Sequence, residues 1–313
     1  MLEFNPWILF IAGSILLYFS SDILVSNSIV ISEKFNIPRV VIGGTIIALG
    51  TSLPEITVSI IANLKGASNI VIGNIIGSNI ANIGLVFGIS VLFKEIYIKK
   101  DNHCIYYNMF LFLLFSLIFY FIVRGGSINK THALILILLY IISFLFMIKY
   151  FSIPYNTSNK THDVSNLIIF LKLIFGSILI YYGCNLFIDG AIGISTAMGI
   201  YDLSIGMTIV AFGTSAPELV TSLNALKKNE DMLIIGNIIG SNIANIIFAA
   251  GISSLIQTVY FNYSELVIYN FLMLFISILF LLSIYFLKNI YKAYGLLFIS
   301  IYFIFIYLNF YAN

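Results

Sequence analysis

Two glutamates occupy places where a charge is hardest to keep. Glu55 closes the stretch "GGTIIALGTSLPE" at 43–55, and Glu218 closes "GMTIVAFGTSAPE" at 206–218. Each lies inside an apolar run that holds no Lys or Arg. An unpaired carboxylate there costs at least about 2–3 kcal/mol, so a bound cation is the simplest partner. The competing reading is a pair of protonated glutamates hydrogen-bonded within the bundle. Pro54 and Pro217 add a second kind of ligand, because a proline has no N–H and its ring crowds the preceding turn. That releases the carbonyls around Gly50 and Thr51 and around Gly213 and Thr214, which in a membrane must face protein, water or an ion. The hydroxyls of Thr51, Ser52, Thr214 and Ser215 lie within one turn of the break.

A second motif is also present twice. "IGNIIGSNIAN" occupies 72–82 and returns unchanged at 235–245. On a helix Asn74, Ser78 and Asn82 share one face, as do Asn237, Ser241 and Asn245, and their oxygens are suited to complete a coordination shell. Gly73 with Gly77, and Gly236 with Gly240, form small-x-x-x-small pairs that let helices approach closely. Two carboxylates and two released carbonyls supply six hard oxygens, the lower end of what Ca²⁺ takes, and two negative charges match one such ion. His103, His132 and His162 fall in or beside loops, which argues against zinc or copper.

The elements that must carry these residues are membrane spans. Hydrophobic residues make up 60% of the 313 and charged ones 9%, with mean hydropathy +1.06, far above soluble domains. Apolar runs long enough to cross a bilayer lie near 5–30, 40–63, 69–93, 104–123, 132–150, 166–190, 203–226, 232–257, 264–287 and 290–311. The expectation is an all-α polytopic membrane protein of ten transmembrane helices. A shift of 163 residues maps one copy of each motif on the other, and also Gly13 on Gly176, Tyr18 on Tyr181 and Gly88 on Gly251. The duplicated unit therefore has five spans, and an odd number forces the second copy to enter from the opposite side: two inverted repeats, 1–150 and 166–313. The polar stretch 151–165 reads as the linker between them.

Charge placement orients the chain. If spans alternate, Lys34, Arg39, Lys94, Lys99, Lys100, Lys149, Lys160, Lys172, Lys227, Lys228, Lys288 and Lys292 share one side, against Lys65, Arg124 and Lys130. The positive-inside rule puts the first set and the linker in the cytoplasm, and both termini outside the plasma membrane. Cys104 and Cys184 are too few for a disulfide framework and are expected to be inert thiols.

In these residues the chain resembles the cation/Ca²⁺ exchanger superfamily, most closely its prokaryotic Na⁺/Ca²⁺ exchangers. The resemblance covers the ten-span plan and both signature alpha motifs, 43–88 and 206–251, with G-T-S-x-P-E followed each time by G-N-x-x-G-S-N. It implies that Glu55 and Glu218 are the central ion ligands. It implies supporting roles for Ala48, Thr51, Ser52 and Ser78, and for Ala211, Thr214, Ser215 and Ser241, through carbonyls and hydroxyls. It further implies that the spans near 5–30 and 166–190 slide across the bundle to expose the site alternately. One departure stands out: close prokaryotic relatives often pair an Asn with an Asp at the end of the second motif, where this chain has Asn82 and Asn245.

The function implied is antiport of Na⁺ against Ca²⁺, with the ions held at the midplane between the repeats. A Ca²⁺/H⁺ exchanger is the nearest rival, since glutamates also carry protons; the extra hydroxyls and amides argue for Na⁺, because a proton needs only the carboxylate. A cation channel would pass Ca²⁺ without counterflow. An intramembrane hydrolase lacks a His or Lys base near Ser52 or Ser215. The chain is thus not expected to be an enzyme. No cofactor or nucleic-acid partner is expected beyond the transported ions and the lipid bilayer, and the pattern leaves the oligomeric state open.

Overall fold

The structure is a computed structural model and describes residues 5–99, 103–151, 165–197 and 213–311. Its helices are Pro6–Lys34 (α1), Arg39–Thr51 (α2), Leu53–Leu64 (α3), Ser68–Phe93 (α4), His103–Arg124 (α5) and Lys130–Phe151 (α6). Asn166–Ala197 (α7), Ala216–Lys227 (α8), Asp231–Ile256 (α9), Tyr263–Phe286 (α10) and Lys292–Tyr311 (α11) follow. Among the described residues, seven of these are long and apolar enough to cross a membrane, and α2 with α3, bent by 46° at their junction, makes an eighth. The span expected near 132–150 is α6, whose described apolar part is shorter. Of the span expected near 203–226, α8 is described and 203–212 lie outside the described residues, as does nearly all of the 151–165 linker.

Burial sorts the helices into a centre and a rim. The most apolar windows of α4 and α9 are 89% and 94% buried, against 33% for α1 and for α7. Trp7, Ile8, Ile11, Ile15 and Phe19 on α1 are exposed, as are Leu167, Phe170, Leu171 and Phe175 on α7. In water such faces would be a liability; against lipid they are the ordinary outer surface of a membrane helix. α1 and α7 lie against each other along their length. Glycines permit it: a Cβ on Gly13 would fall on the Phe187 backbone, and one on Gly190 on that of Phe10.

Two-residue antiparallel ladders tie the loops together. β1 (Ile96–Tyr97) pairs with β4 (Asn289–Ile290), and β2 (Ser127–Ile128) pairs with β3 (Val259–Tyr260). β1 and β2 are separated by the long helix α5 and so cap opposite ends of the bundle. On the β1 end, Arg39 donates to Glu33 and Glu230, each at 2.9 Å, and to the Ile29 carbonyl at 2.8 Å. One guanidinium thereby fastens the ends of α1, α2 and α9.

The 163-residue shift is visible in element boundaries as well as letters. It carries α3 onto α8, the α-helical run Ser68–Ala81 onto Asp231–Ala244, and β1 onto β3. It also carries a π-helical turn, Asn82–Phe87, onto another, Asn245–Ala250. Even the left-handed turn residue matches, Gly66 (φ 73°) with Asn229 (φ 58°). A third π-turn, Gly43–Ile47, lies in α2.

A second close helix crossing joins α2 to α9. A Cβ added at Gly236 would meet the Val40 carbonyl, and one at Gly240 the carbonyl and Cα of Gly44, so the second motif's glycine pair does bring backbones into contact. For the first motif, Gly77 meets only Phe305, at 3.7 Å. Gly240→Ala is therefore expected to lower the thermal unfolding midpoint in detergent, because overpacking against backbone costs about 1–3 kcal/mol. Gly251→Ala, whose Cβ would stand 3.5 Å from Ile137, is expected to leave it unchanged. Equal midpoints for the two variants would contradict the packing described.

Candidate ion-binding site

The site begins at the two helix breaks. Ser52 and Ser215 leave the helical region, with φ/ψ of −84°/6° and −84°/0°, and a proline follows two residues later in each copy. The proline ring prevents the upstream helix from running on unbroken, so a new helix starts at Leu53 and at Ala216. Glu55 and Glu218 fall in the first turn of these new helices, where the unpaired N–H groups give a carboxylate a favourable field. Both glutamates are 0% exposed.

Around them the structure gathers hydroxyls and amides from both halves of the chain. Ser52 Oγ donates to Glu218 Oε1 at 3.0 Å. Thr51 Oγ1 lies 3.4 Å from Ser241 Oγ, 3.4 Å from Asn237 Oδ1 and 3.3 Å from the Ala48 carbonyl. Thr214 lies alongside Glu55. Asn74 Nδ2 donates to the Glu55 carbonyl at 3.0 Å and to Ser59 Oγ at 2.9 Å, which pins the backbone beneath the carboxylate; Ser78 Oγ reaches Asn74 Oδ1 at 3.4 Å. Asn82 and Asn245 begin the π-turns of α4 and α9, and these turns pack against α8 and α3, the helices that carry Glu218 and Glu55. π-turns are uncommon and recur at functional sites. Ala211 lies outside the described residues; the other eleven expected ligands are all buried.

Polar demand is left unmet here, as it is at several other buried side chains of the bundle, among them Asn63, Ser116 and Asn270, but here it includes carboxylates. Both oxygens of Glu55, Oε2 of Glu218, Oδ1 of Asn82, Oδ1 of Asn245 and Oγ of Ser215 are buried without a hydrogen-bond partner. Six such oxygens in one apolar bundle would each carry a desolvation penalty unless something positive meets them. Their chemistry, carboxylate, amide and hydroxyl, suits a hard cation at the lower end of calcium's coordination range.

Three features were not read from the sequence. The π-turns are one. Asn79 and Asn242 are another, since they contact Asn245 and Asn82 from the facing helix. The third is Cys184, expected to be inert: its thiol lies 3.3 Å from the Gly213 carbonyl, one of those freed by Pro217. The signal for the asparagines was their repetition in both motif copies.

This combination of repeated breaks and buried carboxylates can be set beside known proteins. A family model described as "Sodium/calcium exchanger protein" matches residues 5–149 and 168–311. The chain belongs to the sodium/calcium exchanger family. It is 41% identical over 246 residues to an uncharacterized membrane protein of Methanocaldococcus jannaschii, covering 79% of this chain and 80% of that one. It is 30% identical over 291 residues to the sodium/calcium exchanger MaX1 of Methanosarcina acetivorans, covering 80% and 82%. A solved structure of the sodium-calcium exchanger NCX_Mj superposes with TM-score 0.85 at 37% identity, over 97% of this chain and 98% of that one. As a family member the chain is a multi-pass membrane transport protein.

Helix α2 should thus be joined to α9 at the level of the site. With Cys104→Ala and Cys184→Ser as background, Thr51→Cys combined with Ser241→Cys is expected to form a disulfide on oxidation. Cleavage at a protease site engineered into the 151–165 linker would then leave the two halves migrating as one until reduced. Separate halves after oxidation would contradict this packing.

Proposed function

We propose that the chain is a secondary antiporter that exchanges Na⁺ for Ca²⁺ by alternating access. The observation that carries this reading is the pair of fully buried glutamates at two matching helix breaks, with unpartnered oxygens of Asn82 and Asn245 on the π-turns packed against their helices. One Ca²⁺ neutralises both carboxylates; Na⁺ ions, each needing fewer oxygens, use the same carboxylates with the hydroxyls of Thr51, Ser52, Ser78, Thr214, Ser215 and Ser241. The amide oxygens of Asn82 and Asn245 and the carbonyls of Ala48 and Ala211 complete the ligand set. Because the carboxylates are costly to leave bare, the site favours crossing the membrane loaded, and that couples the two ion fluxes.

In this reading the ten spans form two inverted repeats, 1–150 and 166–313, linked through 151–165, with the ions at the midplane where the alpha motifs 43–88 and 206–251 meet. The shared element boundaries and paired π-turns support it. α1 and α7 move as one unit, supported by their glycine-mediated contact along their length and their placement at the rim. They meet the core through apolar residues such as Leu17, Leu24 and Ile180 and, on α1, through polar contacts: Asn224 donates to the Tyr18 carbonyl and to Ser21, and Lys228 pairs with Asp22 at 2.8 Å.

Reconstitution into proteoliposomes tests the exchange. An outward Na⁺ gradient is expected to drive Ca²⁺ uptake, and a pH gradient alone is not; uptake driven only by protons would favour the Ca²⁺/H⁺ reading. Glu55→Gln and Glu218→Gln, which keep shape but remove charge, are each expected to abolish the Na⁺-driven flux while the protein stays folded. Normal flux in either variant would remove the proposed site.

Orientation in the plasma membrane follows from charge, with both termini outside. Single cysteines placed at residue 34 are expected to react with an impermeant reagent only from the cytoplasm, and at residue 130 only from outside. The reverse pattern would invert the topology.

A further inference from the structure

Asn79 and Asn242 are absent from the ligand set just proposed, yet each is buried at 1% exposure or less beside it. Asn245 Nδ2 donates to Asn79 Oδ1 at 3.2 Å, and Asn82 Nδ2 lies 3.5 Å from Asn242 Oδ1. The two contacts are images of one another: a shift of 163 residues turns Asn79 into Asn242 and Asn82 into Asn245. Each Asn at the start of a π-turn is therefore held by an Asn from the other half of the chain, and the bonds cross between α4 and α9.

The direction of these bonds matters more than their strength. A carboxamide has one face that attracts a cation and one that repels it. In both pairs the π-turn Asn gives its N–H to the partner, and its Oδ1 is left buried without a hydrogen bond. On the far side Asn79 spends its own Nδ2 on Met273 Sδ at 3.7 Å, which leaves its oxygen as the acceptor for Asn245, whereas Asn242 Nδ2 has no hydrogen-bond partner. Were Asn82 or Asn245 turned over, an amide N–H₂ would point at the cation instead.

We propose that Asn79 and Asn242 are positioning residues that fix the side-chain flip of Asn245 and Asn82, so that both π-turn amides present oxygen to the transported cation. The inference rests on the exchange reading above, in that the cation is the one exchanged. It gives the second motif a division of labour: in G-S-N-x-x-N the last Asn faces the ion and the earlier one, from the opposite copy, aims it. It also explains how two neutral amides serve as ligands without a carboxylate at either place, since an amide needs an external hold on its orientation and a carboxylate, with two equivalent oxygens, does not.

Calcium affinity of the purified full-length protein, measured by titration calorimetry, tests this apart from transport. Asn79→Leu and Asn242→Leu keep the branching at Cγ but lack the acceptor, and each is expected to raise the Kd for Ca²⁺ about 10–100-fold, the range for residues that orient a metal ligand. Asn79→Asp keeps an acceptor oxygen whether or not it is protonated and is expected to stay within about threefold of the unsubstituted protein. In an Asn245→Ala background the Asn79→Leu effect should shrink below about twofold, because the residue it acts through is gone. If the Leu forms do not fold, Asn79→Ser, too short to reach Asn245, carries the same expectation. A Leu form that binds as well as the unsubstituted protein, or an Asp form weaker than the Leu form, would overturn the proposal and leave a packing role. Na⁺-driven uptake by the unsubstituted protein is measured alongside; its absence would count against exchange, while the order of the Kd values still decides the role of Asn79 and Asn242.

Discussion

The structure is organised around two carboxylates buried in an apolar bundle. Both are fully buried, and neither Lys nor Arg stands within either second span to offset them. Every other feature of the centre answers that problem. The helix breaks at Ser52 and Ser215 place each glutamate on a helix N-terminus, whose field favours a negative charge. Ser52 donates to Glu218, and Asn74 fixes the backbone under Glu55. The remaining oxygen-rich demand is what a hard cation would meet, and in the proposed exchange a site that is costly when empty would favour crossing the membrane loaded.

Packing makes that arrangement rigid. α4 and α9, the two most buried helices, carry the polar motif through the middle of the bundle, while α2 closes on α9 through glycines that leave no space for a methyl group. The rim pair α1 and α7 meets the core through both apolar residues, such as Leu24 and Ile180, and polar contacts, such as that of Lys228 with Asp22. In the proposed exchange α1 and α7 would move as one body past this centre. Arg39, joined to Glu33 and Glu230, sits where such a movement would be felt first.

Much of this was legible in the sequence because the signals are local and doubled. A proline one residue before a glutamate in an apolar run, present twice at a fixed shift, specifies both a helix break and a buried charge, and the break at α2–α3 lies where the motif put it. What was not legible depends on geometry between distant segments. Asn79 is one position from Ser78, about 100° around an ideal helix and so off the Asn74–Ser78–Asn82 face. It becomes useful only because α9 crosses there and brings Asn245 to it. The π-turns are similarly hidden, since one extra residue in a helical turn changes which side chains share a face without changing composition. The place of the buried Cys184 thiol against the Gly213 carbonyl likewise follows from the path of α7, which its position in the sequence does not show.

The central claim is that one cation sits between the two glutamates, and long-wavelength anomalous diffraction from crystals grown with Ca²⁺ addresses it most directly. The account predicts a calcium peak about 2.3–2.6 Å from carboxylate oxygens of both Glu55 and Glu218, with the Oδ1 atoms of Asn82 and Asn245 turned toward it. It further predicts that the peak is lost when both glutamates are changed to Gln. A calcium peak elsewhere in the bundle, or one between these helices that persists in the double Gln variant, would contradict it.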